Sequence, residues 1–207
     1  MIEKICNYLT RKIKEKTPDM DFEKEEIINY GLQIIVGEIP KTIALIVIAI
    51  ACGVLKLSLL ALILMVPYRM VSGGVHLKSH IACIVSTTCF YTGNALISKS
   101  VIIPIQYKIC LVIFIWIFSV VAIKKYAPAD TEEVPILREK ERKIKKNFSY
   151  IIMTITLILS VVIRNQIISN LLIFGTLMQT IMITRFIYKI SNCKYGYEEY
   201  KKANNIA

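Results

Sequence analysis

Gln166-Ile-Ile-Ser-Asn-Leu-Leu-Ile-Phe-Gly-Thr-Leu-Met-Gln-Thr-Ile-Met-Ile-Thr184 runs without one charged side chain. A helix needs roughly 20 mainly apolar residues, within about 17–25, to cross the hydrocarbon core of a bilayer, and this stretch meets that requirement. Extended to Tyr188, it is the last of six apolar runs. The others are Ile39–Leu55, Leu57–Tyr68, Ile81–Ile97, Ile102–Ile123 and Phe148–Ile163. The run at 57–68 is short, which fits a tilted helix or one held partly by its neighbours. The fold expected is all-α: a polytopic membrane protein of about six transmembrane helices in one domain, 1–207. A four-span arrangement with two runs buried or re-entrant is the alternative.

Composition points the same way. Of 207 residues, 55% are hydrophobic and 20% charged, and the mean hydropathy is +0.56. A soluble domain of this size cannot bury so much apolar surface, which excludes an ordinary cytosolic enzyme as well as disorder. Six scattered cysteines without C-x-x-C spacing give no disulfide framework.

The N-terminal part, 1–38, is different. Ile2, Ile5, Leu9 and Ile13 recur at helical spacing while Lys4, Arg11, Lys12, Lys14 and Lys16 fall elsewhere, the pattern of a helix lying in the membrane interface. It is not a signal peptide, because charges of both signs run through it. Thr17-Pro18-Asp19 breaks the pattern. The acidic cluster at 21–26 then suits the start of a second amphipathic helix ending near Gly37. The transmembrane core follows over 39–188, interrupted by a cytoplasmic loop, 124–147, and succeeded by a tail, 189–207.

The net charge is +11, from 26 basic and 15 acidic residues. In a soluble protein this would suggest nucleic acid. Here the basic residues collect in particular connections, so anionic lipid is the partner expected and nucleic acid is not. Lys56, Lys99 and Arg164 stand alone in three short connections, whereas the 69–80 segment, the 124–147 loop and both termini carry nearly all the rest. With six crossings, the positive-inside rule places both termini, the 69–80 segment and the loop in the cytoplasm of a cell-membrane protein.

Chemistry concentrates in Tyr68-Arg69-Met70-Val71-Ser72-Gly73-Gly74-Val75-His76-Leu77-Lys78-Ser79-His80-Ile81-Ala82-Cys83. Both histidines of the chain lie here with a glycine pair, an arginine and a cysteine. Polar groups at a membrane boundary are a functional-site hypothesis. His76 and Cys83 suit a base and a thiol nucleophile. On one continuous helix, seven residues separate them by about 10.5 Å along the axis, beyond hydrogen-bonding reach. The dyad therefore requires a break, which Gly73 and Gly74 can supply, with Cys83 in the first turns of the next span. Lys78 beside the dyad could hold a carboxylate or the thiolate, or simply snorkel.

A second reading sets His76, His80 and Cys83 on one face of an unbroken helix as a metal site. It lacks an obvious fourth ligand. A third reading is a small transporter, for which the only charge well inside a span is Lys108.

The spacing Arg69-x-x-Ser-Gly-Gly-x-His76-x6-Cys83 resembles the accessory gene regulator protein B family (AgrB), membrane peptidases of peptide quorum sensing. Tyr126-Ala-Pro-Ala-Asp-Thr131, followed by Pro135-Ile136, is similar to that family's cytoplasmic loop. The resemblance implies that His76 and Cys83 are the catalytic pair and that Arg69 and Gly74 are its essential neighbours; Gly73 and Lys78 are counted with them as supporting residues. It implies no cofactor and no metal. The implied activity is cysteine endopeptidase cleavage of an AgrD-like precursor of an autoinducing peptide, with thiolactone closure. A homodimer is the assembly expected on general grounds. No acidic third member is evident; Gln33 and Glu38 are the candidates from the preceding helix. The basic run from Arg138 to Lys146 fits a solvated face on anionic lipid, or a dock for an acidic precursor tail.

Overall fold

In the computed structural model, residues 2–17, 20–75, 77, 79–132 and 135–204 are described, the side chains of residues 2, 3, 23 and 34 excepted. Their backbone forms α1 (Ile2–Lys16), α2 (Phe22–Ala51), α3 (Leu55–Ser72), α4 (His80–Ser100), α5 (Ile105–Tyr126), α6 (Glu139–Val162), α7 (Gln166–Met182), α8 (Arg185–Ile190) and α9 (Gly196–Ala203). The described residues contain no strand beyond isolated bridging contacts. The chain is an all-α polytopic membrane protein. The helices from α2 (counted from Lys24) through α6 are each long and apolar enough to cross a bilayer.

The chargeless run that opens the sequence reading behaves unexpectedly. It stops at Met182, giving a helix of 17 residues, about 25 Å at 1.5 Å per residue and shorter than the other five. Ile183 and Thr184 interrupt it and α8 begins at Arg185, so the expected span to Tyr188 is two elements. The reason is its position. α7 packs against α3, α4, α5 and α6 and is the hub of the bundle. Ser169, Asn170, Thr176, Gln179 and Thr180 are all buried on it. Each finds a partner within the protein: the Asn170 amide donates to the Val101 carbonyl at 2.8 Å, and Thr180 Oγ1 lies 3.0 Å from the Tyr68 hydroxyl and 2.8 Å from Ser119 Oγ. The lack of charge reflects enclosure by protein. The lipid-type surfaces lie elsewhere, in exposed stripes such as Ile43, Val47 and Ile50 on α2 and Ile151, Ile155 and Ile158 on α6.

Two further expectations change. The amphipathic helix ending near Gly37 and the span starting at Ile39 are one helix, α2, of 30 residues. Asp21 caps its start, accepting from the Lys24 amide at 2.8 Å. Nothing ends it at Gly31 or Gly37, which stay in helical backbone, and Pro40 is accommodated inside. α1 lies along this helix: Asn29 donates to Asn7 at 2.7 Å, Lys14 pairs with Glu25, and Cys6 is buried.

Half of the loop at 124–147 is helical, belonging to the end of α5 and the start of α6. α6 begins at Glu139, so the connection proper is 127–138, and the basic run forms the first turns of α6. Lys108 is not central to its span either. It sits in the first turn of α5, which starts at Ile105.

Candidate functional site

α3 ends in Tyr68, Arg69 and Ser72 because Gly73 leaves the helix with φ +74° and Gly74 follows with φ +145°, conformations that residues with a Cβ rarely adopt. The glycine pair is then held from three directions. The loop after α5 lies beside it: Ala129 donates its amide to the Ser72 carbonyl at 2.8 Å, and the Gly74 amide donates to the Ala129 carbonyl at 2.9 Å. From α7, the Gln179 amide donates to the Gly73 carbonyl at 2.8 Å and to Ser72 Oγ at 3.0 Å. From α3 itself, Arg69 donates to Gln179 Oε1 at 3.3 Å and to the Val75 carbonyl at 3.4 Å. The Val75 amide reaches the Met182 carbonyl at 3.4 Å. The two motifs at 69–83 and 126–136, more than 40 residues apart in the chain, are therefore one structural unit.

The connection 127–138 is itself anchored. Asp130, its side chain fully buried, accepts at Oδ2 from the Ile136 amide (2.9 Å), Arg142 Nη1 (2.8 Å) and the Tyr197 amide (3.1 Å). Tyr188 donates to the Asp130 carbonyl at 3.1 Å and stacks on Tyr195 with ring centroids 4.1 Å apart. One member of the basic run, Arg142, is thus a structural residue turned inward, with its guanidinium 4.1 Å from the Tyr197 ring centre.

Ser79 is extended and caps α4, accepting from the Ala82 amide. Cys83 is the fourth residue of α4, partly buried, and its amide bonds the Ser79 carbonyl at 2.9 Å. The start of a helix is where the backbone dipole favours an anion. His80, at the very start, is exposed. The break at Ser79 removes the continuous helix that the metal alternative requires. The catalytic base expected, His76, and Lys78 both lie outside the described residues.

α2 packs on α4 and brings a group the sequence reading overlooked. Lys41, whose side chain is mostly buried, places Nζ 2.6 Å from Glu38 Oε1. Of the two candidates for a third member, Glu38 pairs with Lys41, while Gln33 is occupied one turn away with Asn29 at 2.7 Å. Tyr91 is buried on α4, with its ring edge-on to Phe90. Gln179 was overlooked too. Its signal was present: a side-chain amide in an otherwise chargeless run.

Comparisons with known proteins place the chain in a family. Residues 2–183 match the sequence profile of Accessory gene regulator B. AgrB-like protein 2 of Clostridium perfringens is 28% identical over 167 residues, covering 78% of this chain and 76% of that protein. An AgrB-like protein of Listeria welshimeri is 26% identical over 200 residues, covering 96% and 95%. No solved structure matches. The chain belongs to the accessory gene regulator B family and is a membrane protein of the agr quorum-sensing system.

Proposed function

We propose that this protein is a cysteine endopeptidase that removes the C-terminal tail of an AgrD-like precursor and promotes thiolactone closure. The observation that supports it best is the setting of Cys83: a partly buried thiol in the first turn of α4, with the clamped glycine pair a few residues upstream.

In this reading His76 takes the Cys83 proton as the thiolate attacks the carbonyl at the junction with the tail, and returns a proton to the departing amine. The tail leaves, and Cys83 holds the peptide as a thioester. The precursor's own thiol then attacks that thioester, expelling Cys83 and closing the ring. Thioester to thiolactone is nearly isoenergetic, so ATP is not required. The uphill step, amide to thioester, is drawn forward by loss of the tail. A held thiol has a large effective concentration over water, and exclusion of water makes the outcome cyclisation over hydrolysis. Arg69 acts here as a positioning residue, fixing the Val75 carbonyl beside the dyad segment. The loop, both termini and the site face the cytoplasm, where the precursor is made.

The test is cleavage of the tagged precursor by the membrane-inserted protein. Cys83→Ala, Cys83→Ser and His76→Ala should each abolish it, the serine variant because a hydroxyl is a far weaker nucleophile. His80→Ala should retain most activity. Equal loss in the two histidine variants would favour a different role for these residues.

A further inference from the structure

We propose that the seam between α5 and α6 binds one anionic phospholipid, its phosphate against Lys125, Lys143 and Lys146 and one acyl chain laid along Trp116 into the groove beyond. The inference is independent of the peptidase reading. It rests on a cationic cavity and an apolar groove that lie in line along the same two helices.

The cationic end is a cavity of about 330 Å³ between the last turn of α5, the first turns of α6 and the tail. Lys125, Arg142, Lys143 and Lys146 line it, together with Glu139 and Glu198. Arg142 is spent on Asp130, and Glu198 on Arg185 at 2.6 Å. Three lysines then face one carboxylate, and Glu139 already accepts from the Tyr197 hydroxyl at 3.4 Å. Among the described residues, none of the three lysines pairs with a carboxylate. Basic pockets between membrane helices suit lipid head groups.

Two hydrogen bonds fix how the helices lie. Lys146 Nζ donates to the Lys124 carbonyl at 2.6 Å, and the Trp116 indole donates to Thr154 Oγ1 at 3.1 Å. The two pairs are eight residues apart on each helix (116 to 124, 146 to 154), about 12 Å. Val120 and Tyr150 fall between them in the same antiparallel register. Beyond Trp116, the residues Val112, Ile113, Leu157, Ile158 and Val161 complete with it a groove of about 350 Å³. Ile113 and Ile158 are exposed at its edges. On α6, Lys143, Lys146, Tyr150, Thr154, Leu157 and Val161 recur every three or four residues, so cavity and groove share one helix face.

The place of Trp116 supports a lipid over other anions. Tryptophan ordinarily collects at the membrane–water boundary. Trp116 is instead ten residues from the end of α5 at Tyr126 and eleven from its start at Ile105, and it is 43% exposed. Because Thr154 takes its N–H, the ring is left as an apolar wall. The spacing suits one leaflet. A hydrocarbon core of about 30 Å gives about 15 Å per leaflet, and the twelve residues from Lys124 to Val112 span about 18 Å. An acidic peptide or a free phosphate would occupy the cavity and leave the groove empty, whereas a phospholipid fills both.

The test uses the full chain in detergent micelles and counts bound lipid by native mass spectrometry as dioleoylphosphatidylglycerol is titrated in. One lipid should be retained, about tenfold more tightly than dioleoylphosphatidylcholine. Lys125→Gln/Lys143→Gln should bind it about thirtyfold more weakly, the loss for two lysines near a bilayer surface, while Lys125→Arg/Lys143→Arg should bind it as the parent does. Val161→Trp, which fills the groove and keeps the lysines, should weaken it about tenfold, the worth of roughly two buried CH₂ groups. Should Val161→Trp fail to insert, Ile113→Trp takes its place with the same expectation. Glycerophosphoglycerol, the headgroup without its chains, should not displace the lipid at equal concentration. Equal affinity for the two lipids, or parent affinity in the glutamine pair, overturns the proposal. So does parent affinity in the groove variant, which would make the cavity a dock for an acidic peptide or a headgroup alone. Displacement by glycerophosphoglycerol also overturns it, since the cavity would then take the free anion.

Discussion

Gly73 lies flat against Ala129: a Cβ on Gly73 would sit 2.2 Å from the Ala129 carbonyl oxygen and 2.9 Å from its carbon. That contact joins the end of α3 to the loop after α5. A Cβ on Gly74 would meet only ordinary contacts, 3.5 Å from Arg69 and 3.6 Å from Gln179, although its φ of +145° still disfavours a side chain. Gly73→Ala should therefore be the worse substitution. Backbone strain alone costs of order 1–3 kcal/mol, and at Gly73 the clash is with backbone, which cannot swing away. Thermal unfolding in detergent should show the larger loss for Gly73→Ala, with cleavage abolished. A milder effect than Gly74→Ala would contradict the clamp.

Gln179 makes its contribution through donors. Its two donated hydrogen bonds, to the Gly73 carbonyl and Ser72 Oγ, come from the amide nitrogen. Gln179→Glu keeps the shape and offers Arg69 a better partner, but cannot donate to a carbonyl. It should lose activity nearly as fully as Gln179→Leu, at a stability cost of about 1–3 kcal/mol for the orphaned buried acceptor. Wild-type cleavage by Gln179→Glu would show that the Arg69 contact is what matters.

Asp130 ties the connection to the tail. Its carboxylate is buried and Arg142 is 20% exposed. Removing one member of a buried pair costs about 3–5 kcal/mol. Asp130→Ala should free the tail from α8 onward, because the Tyr197 amide and the Arg142 guanidinium lose their acceptor together. Limited proteolysis should then cut near 191–196 in the variant and leave the parent intact. Equal resistance would mean the tyrosine stack holds the tail alone.

That stack has its own pH signature. Burial pushes the Tyr188 and Tyr195 phenols well above their ordinary value of 10.0. The neutral forms are favoured in the fold, where Tyr188 donates to the Asp130 carbonyl and Tyr195 to the Ile183 carbonyl at 2.8 Å. A raised value gives stability that is complete below pH 10 and lost as pH rises through and beyond it, since the unfolded chain ionises first. Unfolding of the tail in alkali should accompany phenolate absorbance. Tyr195→Phe should lose only part of this dependence, because Tyr188 remains.

What was legible in the sequence follows from the kind of signal each feature left. Helix class and the membrane setting came from long apolar runs, a signal that needs no tertiary information. The break at the glycine pair and the place of Cys83 at a helix start were also readable, because glycine and the serine cap act locally. The role of the chargeless run was not. Lipid and a protein interior impose the same lack of charge, and only the buried Asn170, Gln179 and Thr180 distinguish them. The fusion of two expected elements into α2 escaped because Gly37 and Pro40 punctuate weakly when no left-handed turn follows. Arg142 was read with its run as a surface cation, because sequence carries no sign of where a long side chain ends. The meeting of Gly73 with Ala129 is non-local and had no periodic trace, although the two motifs had been marked separately.

The central claim is that Cys83 carries the peptide between two chemical steps. The most direct measurement gives the membrane-inserted protein a precursor whose ring-forming cysteine is replaced by alanine. Intact mass spectrometry then follows the protein. The account predicts that the tail is released and that Cys83 retains the remaining peptide as a hydroxylamine-labile adduct, absent in Cys83→Ala. An uncleaved precursor, or a linear acid released at the normal rate with no adduct, would contradict it.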